Sequence, residues 1–280
     1  EAKNETLLLN WEMSRGCPYE CSFCDWTGGL HNKVKRRRSN WREEIDFFNE
    51  LGVNVSIIDA NWGIFKEDLE IHKYACEKLG NKWFTNSFSK LNKTTVYEMI
   101  KIRAKSSNEP LRADISIQDI NPTVLKNIDR PEIPWVEHKK LLLDLIKEVP
   151  NVTIGPELVC GLPGQTIDTF FDTIIELTSF KKIKIGVHGF IILTNSPAFS
   201  LDYRQKFNIK TDDFIWMRPY SLFQNKNQVI ESFVNQDSKT YKADTVISTY
   251  SCNFSDILAM HNFANFYNTL IDKSNILDPI

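Results

Sequence analysis

Apolar and polar positions along residues 7–195 switch repeatedly between two periods. Short runs that suit strands are each followed by a stretch with apolar residues every three or four positions. Strands are predicted over residues 7–12 (LLLNWE), 53–60 (VNVSIIDA), 82–87 (KWFTNS), 111–118 (LRADISIQ), 152–159 (VTIGPELV) and 183–192 (IKIGVHGFII). Amphipathic helices are predicted over 39–52, 67–80, 94–106, 122–128, 135–149 and 166–179. Ser39 or Asn40 suits the N-cap of the first helix, and Gly52 its C-terminal stop. Six strand–helix steps in a row argue for parallel strands with crossover helices, hence an α/β protein. A doubly wound sheet and a (β/α) barrel both fit that alternation.

The strands themselves favour the barrel. Fully buried parallel strands read as continuous apolar runs, but three here alternate. Ala113, Ile115 and Ile117 share one face of the fourth strand, and Arg112, Asp114, Ser116 and Gln118 the other. Thr153, Gly155 and Glu157 oppose Val152, Ile154 and Leu158 on the fifth; Gly186 and His188 oppose Ile185 and Val187 on the sixth. Helices cover the apolar face, so the polar face is expected to line something wet or occupied; the alternative is a set of satisfied buried networks. The expected fold is a partial (β/α)6 TIM-like barrel over residues 1–200 with a C-terminal α+β appendage over 201–280. Within that appendage, residues 195–214 read as irregular and 221–237 and 240–251 as strands. Residues 255–272 read as a final amphipathic helix capped by Ser255.

Composition narrows the class. The chain has 280 residues, 42% hydrophobic and 25% charged, with a net charge of -2. That is a globular balance with no bulk attraction to nucleic acid or anionic membranes. No apolar run approaches the roughly 18 residues of a membrane span. Six cysteines are too few for a disulfide scaffold in a chain this long, so a reduced, cytoplasmic protein is expected. The polar start EAKNET shows no signal-peptide pattern, and a chain beginning at Glu1 just before its first strand reads as an excised domain.

Three of the cysteines, Cys17, Cys21 and Cys24, form C-x3-C-x2-C directly after the first strand. Three readings compete. A disulfide framework leaves one thiol odd. A zinc knuckle needs a fourth ligand, and His31 is the candidate, beyond the flexible pair Gly28-Gly29. A 4Fe–4S cluster needs thiolates only; three cysteines leave one iron open to a small chelating molecule. A loop leaving the C-terminal end of a strand is where barrels carry their chemistry.

The segments WEMSRGCPYECSFCDW, DANWGI after the second strand, ELVCGLPGQT after the fifth and ILTNSPA after the sixth occur in order. Together they resemble the radical S-adenosylmethionine (SAM) superfamily, in the branch that usually carries an upstream cobalamin-binding domain and includes peptide and natural-product carbon methylases. The resemblance covers residues 7–200. It implies an enzyme with Cys17, Cys21 and Cys24 on a 4Fe–4S cluster, SAM on the open iron, and an electron donor such as flavodoxin or ferredoxin. It further implies a small-molecule or peptide substrate, and cobalamin if the reaction is carbon methylation. No convincing Asp-x-His-x-x-Gly cobalamin segment occurs in the chain, so either that domain lies upstream or the chain does other radical SAM chemistry without cobalamin; a zinc-stabilised binding module is the alternative of another class.

The resemblance also points to SAM-binding residues. The family's Gly-Gly-Glu-like motif is replaced here by Asp59-Ala60-Asn61, whose side chains or backbone carbonyls would meet the SAM ammonium; an Asx turn is the plainer alternative. Ser116 and Gln118 would contact ribose or carboxylate, Phe23 and Glu157 would lie near the adenine, and Arg130 would pair with the carboxylate unless it makes a surface salt bridge. Glu12 and His188 are the candidate catalytic groups on the polar strand faces. Cys160 shows no sign of activation, and Cys76 reads as core. The basic run KVKRRR, residues 33–38, reads as a solvated face or a docking strip, without the aromatic interleaving of a nucleic-acid site.

Overall fold

The computed structural model describes residues 7–26, 34–36, 40–84, 87–92, 94–106, 110–180, 183–213 and 244–273, with side chains of the last helix to residue 268. Expected strands over 221–237 and the cap candidate Ser39 lie outside them.

In chain order the strands are β1 (Leu8–Trp11), β2 (Ser14–Arg15), β3 (Lys35–Arg36), β4 (Asn54–Ile57), β5 (Trp83–Phe84), β6 (Ser87–Phe88), β7 (Leu111–Gln118), β8 (Val152–Cys160), β9 (Gly186–Gly189), β10 (Ile191–Ile192), β11 (Lys210–Asp213) and β12 (Asp244–Ser248). The helices are α1 (Trp41–Leu51), α2 (Lys66–Leu79), α3 (Val96–Ser106), α4 (Pro122–Asn127), α5 (Trp135–Glu148), α6 (Ile167–Thr178), α7 (Leu201–Lys206) and α8 (Phe254–Lys273). Strands form at all six expected positions, the third divided between β5 and β6, and a helix follows each of the first five. Two compact units share them: one of Glu1–Pro18, His31–Ser116 and Ile133–Gly155, the other of Tyr19–Leu30, Ile117–Glu132 and Pro156–Ile280.

In the first unit β1, β4 and β5 form a parallel sheet in that order, with Leu8 opposite Asn54 and Val55 opposite Trp83. Its core is aromatic. Trp11 meets Phe48 and Trp83 edge-on, with ring centroids 5.7 and 5.9 Å apart, and its indole N–H donates to Glu44 at 2.6 Å. β7 runs parallel to β6 and keeps its two faces. Ala113, Ile115 and Ile117 are buried, while Arg112, Asp114 and Ser116 are half-buried on the other side. There Arg112 Nε donates to Asp114 at 2.6 Å, and a Cβ at Gly155 would lie 1.9 Å from the Asp114 carboxylate. Glycine at 155 therefore makes room for this ion pair.

In the second unit β8 and β9 run parallel, with Glu157 opposite Gly186 and Val159 opposite His188. β12 lies between β10 and β11, antiparallel to both. α8 packs on α6 and β9. Phe263 stacks on Phe171 at 4.2 Å, and the Asn268 side chain brackets the Ile185 backbone, accepting from its N–H at 3.1 Å and donating to its carbonyl at 2.5 Å.

Four local expectations need correction. Residues 195–213 carry regular elements rather than irregular chain: a 3-10 turn at Pro197–Phe199 leads into α7, capped by Ser200 Oγ, and then β11. The sixth strand breaks at Phe190 into β9 and β10. The last helix is capped by Asn253, not Ser255, through reciprocal Asn253–Asp256 bonds of 2.9 and 3.2 Å. Asn40 stands at the N-cap of α1, but its amide donates to Glu43 at 2.9 Å instead of capping. Gly52 does close α1 in the left-handed conformation.

Candidate functional site

In the first unit, β1 delivers the chain into the loop that carries Cys17. Met13 is buried, and its backbone N–H donates to Asp59 at 2.6 Å. Ser14 reaches the same carboxylate through its backbone and hydroxyl. Burial pushes Asp59 up to about 6 against those donors. Two residues on, Asn61 is buried with Nδ2 3.9 Å from Cys17 Sγ. Between them the Ala60 carbonyl accepts from Ser89 Oγ at 2.5 Å. The turn Asp59-Ala60-Asn61 thus holds the base of the cysteine loop and presents an amide to its first thiol.

In the second unit the short run from Cys21 to Cys24 is tied down by backbone and hydroxyl bonds. Cys24 N donates to Cys21 O at 3.0 Å, Ser22 N to Ile128 O at 2.9 Å, and Ala198 N to Ser22 O at 2.8 Å. Ser22 Oγ lies 2.8 Å from the Tyr203 hydroxyl, which donates to Asn127 O at 2.9 Å. Phe23 is half-buried in this run. Arg130 is buried too, with Nη1 4.0 Å from Cys21 Sγ and Nε 2.7 Å from Glu132. It is therefore not an exposed, surface salt bridge.

Gln118 closes β7 with a φ of 69°, an uncommon conformation for a non-glycine residue. Its neighbour in the chain is firmly anchored. Asp119, 1% exposed, accepts from Asn121 N at 2.7 Å and from Gln165 Nε2 at 2.6 Å, and burial pushes it up to about 6. Gln165 Oε1 accepts from Leu162 N at 2.9 Å, so one carboxamide ties the GLPGQ turn to the end of β7.

The remaining candidates are more open. Glu12 is paired with Arg15 at 2.6 Å. Ser116 is half-buried on the polar face of β7. Glu157 and His188 face each other at 3.9 Å with His188 half-exposed. Cys160 is fully buried and its thiol is pushed up to about 12 by burial, and Cys76 to about 11. Neither is an activated nucleophile.

Sequence reasoning did not single out Asp68, Asp119, Gln165 or Tyr203. Asp68 had the signal of an acidic residue in the first turn of a predicted helix, and Gln165 stands within GLPGQT. Tyr203 had none, being 181 positions from Ser22.

Among the described residues no three His, Cys, Asp or Glu side chains gather as one metal ion requires. His31, the fourth ligand of the zinc reading, lies outside the described residues. No disulfide joins any of the six cysteines. N–H donors stand beside Cys17 and Cys21, as they do around sulfurs that ligate an iron–sulfur cluster. The residues fit a cluster.

Comparisons with known proteins agree. Over 210 residues the chain is 29% identical to the cobalamin-dependent radical SAM methyltransferase TokK of Streptomyces tokunonensis, covering 72% of this chain and 30% of TokK. The chain belongs to the radical SAM superfamily. It is similar to the superfamily's cobalamin-associated, methylase-like branch: it is 31% identical over 210 residues to the 2-(S-pantetheinyl)-carbapenam-3-carboxylate methyltransferase of Streptantibioticus cattleyicolor, again covering 72% of this chain and 30% of that one. The chain thus spans about a third of the length of these relatives. No family model matches it. The structure of the radical SAM methyltransferase TsrM from Kitasatospora setae, with cobalamin and a [4Fe–4S] cluster bound, superposes with a TM-score of 0.61 at 13% identity, covering 90% of this chain and 52% of TsrM. That likeness shows the fold of this radical SAM chain to be the expected α/β, partial TIM-like barrel.

Proposed function

We propose that this radical SAM chain is the SAM-binding and SAM-cleaving segment of a methyltransferase acting on an unactivated carbon of a small molecule or peptide. The observation that carries the proposal is the pair of N–H donors on cysteine sulfurs, Asn61 on Cys17 and Arg130 on Cys21, in a chain similar to TokK. Cys17, Cys21 and Cys24 would hold a 4Fe–4S cluster. Bound there, the cluster supplies the electron for reductive cleavage of SAM.

The chain's own residues bind and orient. Asn61 and Arg130 donate to thiolates, fixing them and offsetting their charge. The Arg130 guanidinium, 2.7 Å from Glu132 at Nε, would pair with the SAM carboxylate. The Asp59-Ala60-Asn61 turn takes the SAM ammonium. Ser116 and Gln118 take ribose or carboxylate, and Phe23 and Glu157 lie near the adenine. On the polar face of β8 and β9, His188 beside Glu157 handles a proton or holds substrate. Glu12, paired with Arg15, orders the start of the cysteine loop and supplies a second carboxylate there. Dependence on cobalamin is carried over from TokK and TsrM, and no residue of this chain is assigned to holding it. Electrons come from a small donor protein such as flavodoxin or ferredoxin.

Anaerobic reconstitution with iron and sulfide, reduction, and incubation with SAM tests the proposal. The expected products are methionine and 5′-deoxyadenosine, with methyl transfer once cobalamin and a substrate are supplied. A brown, cluster-loaded protein that leaves SAM intact contradicts it. The ribosomal protein uS12 methylthiotransferase RimO of Clostridium tetani is also similar, at 24% over 248 residues, covering 82% of this chain and 52% of RimO. Methylthio transfer would appear as product mass gained as CH2S rather than CH2.

A further inference from the structure

Within the basic run Lys35 is exposed, but Arg36 does not behave as part of a solvated face. β3 pairs antiparallel with β2, setting Arg36 opposite Ser14 and Lys35 opposite Arg15. Arg36 turns inward. Its Nη1 donates to Ser14 Oγ at 2.9 Å and to Asp68 Oδ1, its Nε lies 3.1 Å from Glu67, and its guanidinium sits 5.1 Å from the Phe65 ring centroid. Asp68 is 1% exposed. Its other oxygen accepts from Gly63 N and Phe65 N, both at 3.0 Å. Ser14, itself buried, passes its hydroxyl bond on to Asp59.

These bonds form one chain: Asp68, Arg36, Ser14, Asp59. At one end Asp68 grips the backbone two residues beyond Asn61. At the other end Asp59 opens the turn itself, and Ser14, one link in, lies three residues before Cys17. The same ion pair therefore holds both the segment that carries the first cysteine and the turn that carries Asn61. A lysine could supply the charge but not the planar fork that reaches Asp68, Ser14 and Glu67 together. A buried carboxylate with two backbone donors and a guanidinium also has one stable orientation, so it transmits position rather than merely charge.

We infer that Arg36 and Asp68 are positioning residues that set the spacing between the Cys17 segment and the Asp59-Ala60-Asn61 turn, and thereby the affinity for SAM. The inference rests on the proposed radical SAM function and adds to it a role for two residues that the cysteine motif does not contain.

The test uses reconstituted protein, with iron per chain and the dissociation constant for SAM measured without turnover. Arg36→Gln is expected to weaken SAM binding about tenfold, the usual loss for a residue supporting a ligand set. Arg36→Lys is expected to recover only part of that. In a double-mutant cycle with Asn61→Ala, the two losses are expected to be less than additive, because Arg36 acts on Asn61 through Asp68 and Gly63. Strictly additive losses, or SAM affinity within twofold of the parent in both Arg36 variants, overturn the inference. So does loss of the apoprotein's circular dichroism in Arg36→Gln, Arg36→Lys and Asp68→Asn alike, which makes the pair a folding element only. A parent protein that takes up no cluster sinks the radical SAM reading itself; a parent that binds SAM beside unaffected variants sinks only this one.

Discussion

Alanine at any one of Cys17, Cys21 or Cys24 is expected to leave a folded chain that retains no iron after reconstitution. Parent protein reconstituted without oxygen is expected to hold about four irons per chain, and each variant less than one. The fold survives because the loop is fixed by bonds that do not use the thiols: Met13 N to Asp59, Ser22 N to Ile128 O, Ala198 N to Ser22 O, and Cys24 N to Cys21 O. Circular dichroism should therefore be unchanged while the brown absorption disappears. The internal control is Cys160→Ala. That thiol is fully buried and pushed up to about 12, so its loss costs packing and leaves iron content at the parent level. Iron at the parent level in Cys21→Ala would contradict the ligand assignment.

Gly63→Ala is expected to destabilise the first unit severely. Gly63 has a φ of +93°, where a side chain is strained, and a Cβ there would lie 2.5 Å from Val96 Cγ2. Val96 is 1% exposed at the start of α3 and has no room to give. The Gly63 backbone is also committed on both sides, its N–H to Asp68 and its carbonyl to Thr95 Oγ1 and Asn92 Nδ2. Strain and overpacking together come to about 3 kcal/mol. That corresponds to a fall in Tm of roughly 10 °C in thermal unfolding of the apoprotein. A variant melting within two degrees or so of the parent would show that the turn relaxes freely, and the clamp by Asp68 would then be loose.

Much of this architecture is legible in the chain because it depends on period and spacing. The alternation Arg112, Asp114, Ser116 against Ala113, Ile115, Ile117 survives into the structure because a strand has no other way to place successive side chains. The cysteine triplet is legible because its ligand chemistry is local. Interactions between residues far apart along the chain escape such reading. Arg36 sits in a run of like charges, which reads as solvent-facing, and only the pairing of β3 with β2 turns it toward Asp68. The bond between Ser22 and Tyr203 joins residues 181 positions apart, and α7 is too short for any helical period to stand out. Asn253 and Ser255 are both good caps by type, and the reciprocal bonds with Asp256 decide between them.

The central claim is that the cysteine loop holds a cluster whose open iron is chelated by SAM. Electron paramagnetic resonance of the reduced, reconstituted chain tests it most directly. The account predicts an iron–sulfur signal whose g-values shift when SAM is added, with coupling to the nitrogen of SAM labelled at its amino group. A signal indifferent to SAM, or a colourless protein carrying stoichiometric zinc after the same treatment, would contradict it.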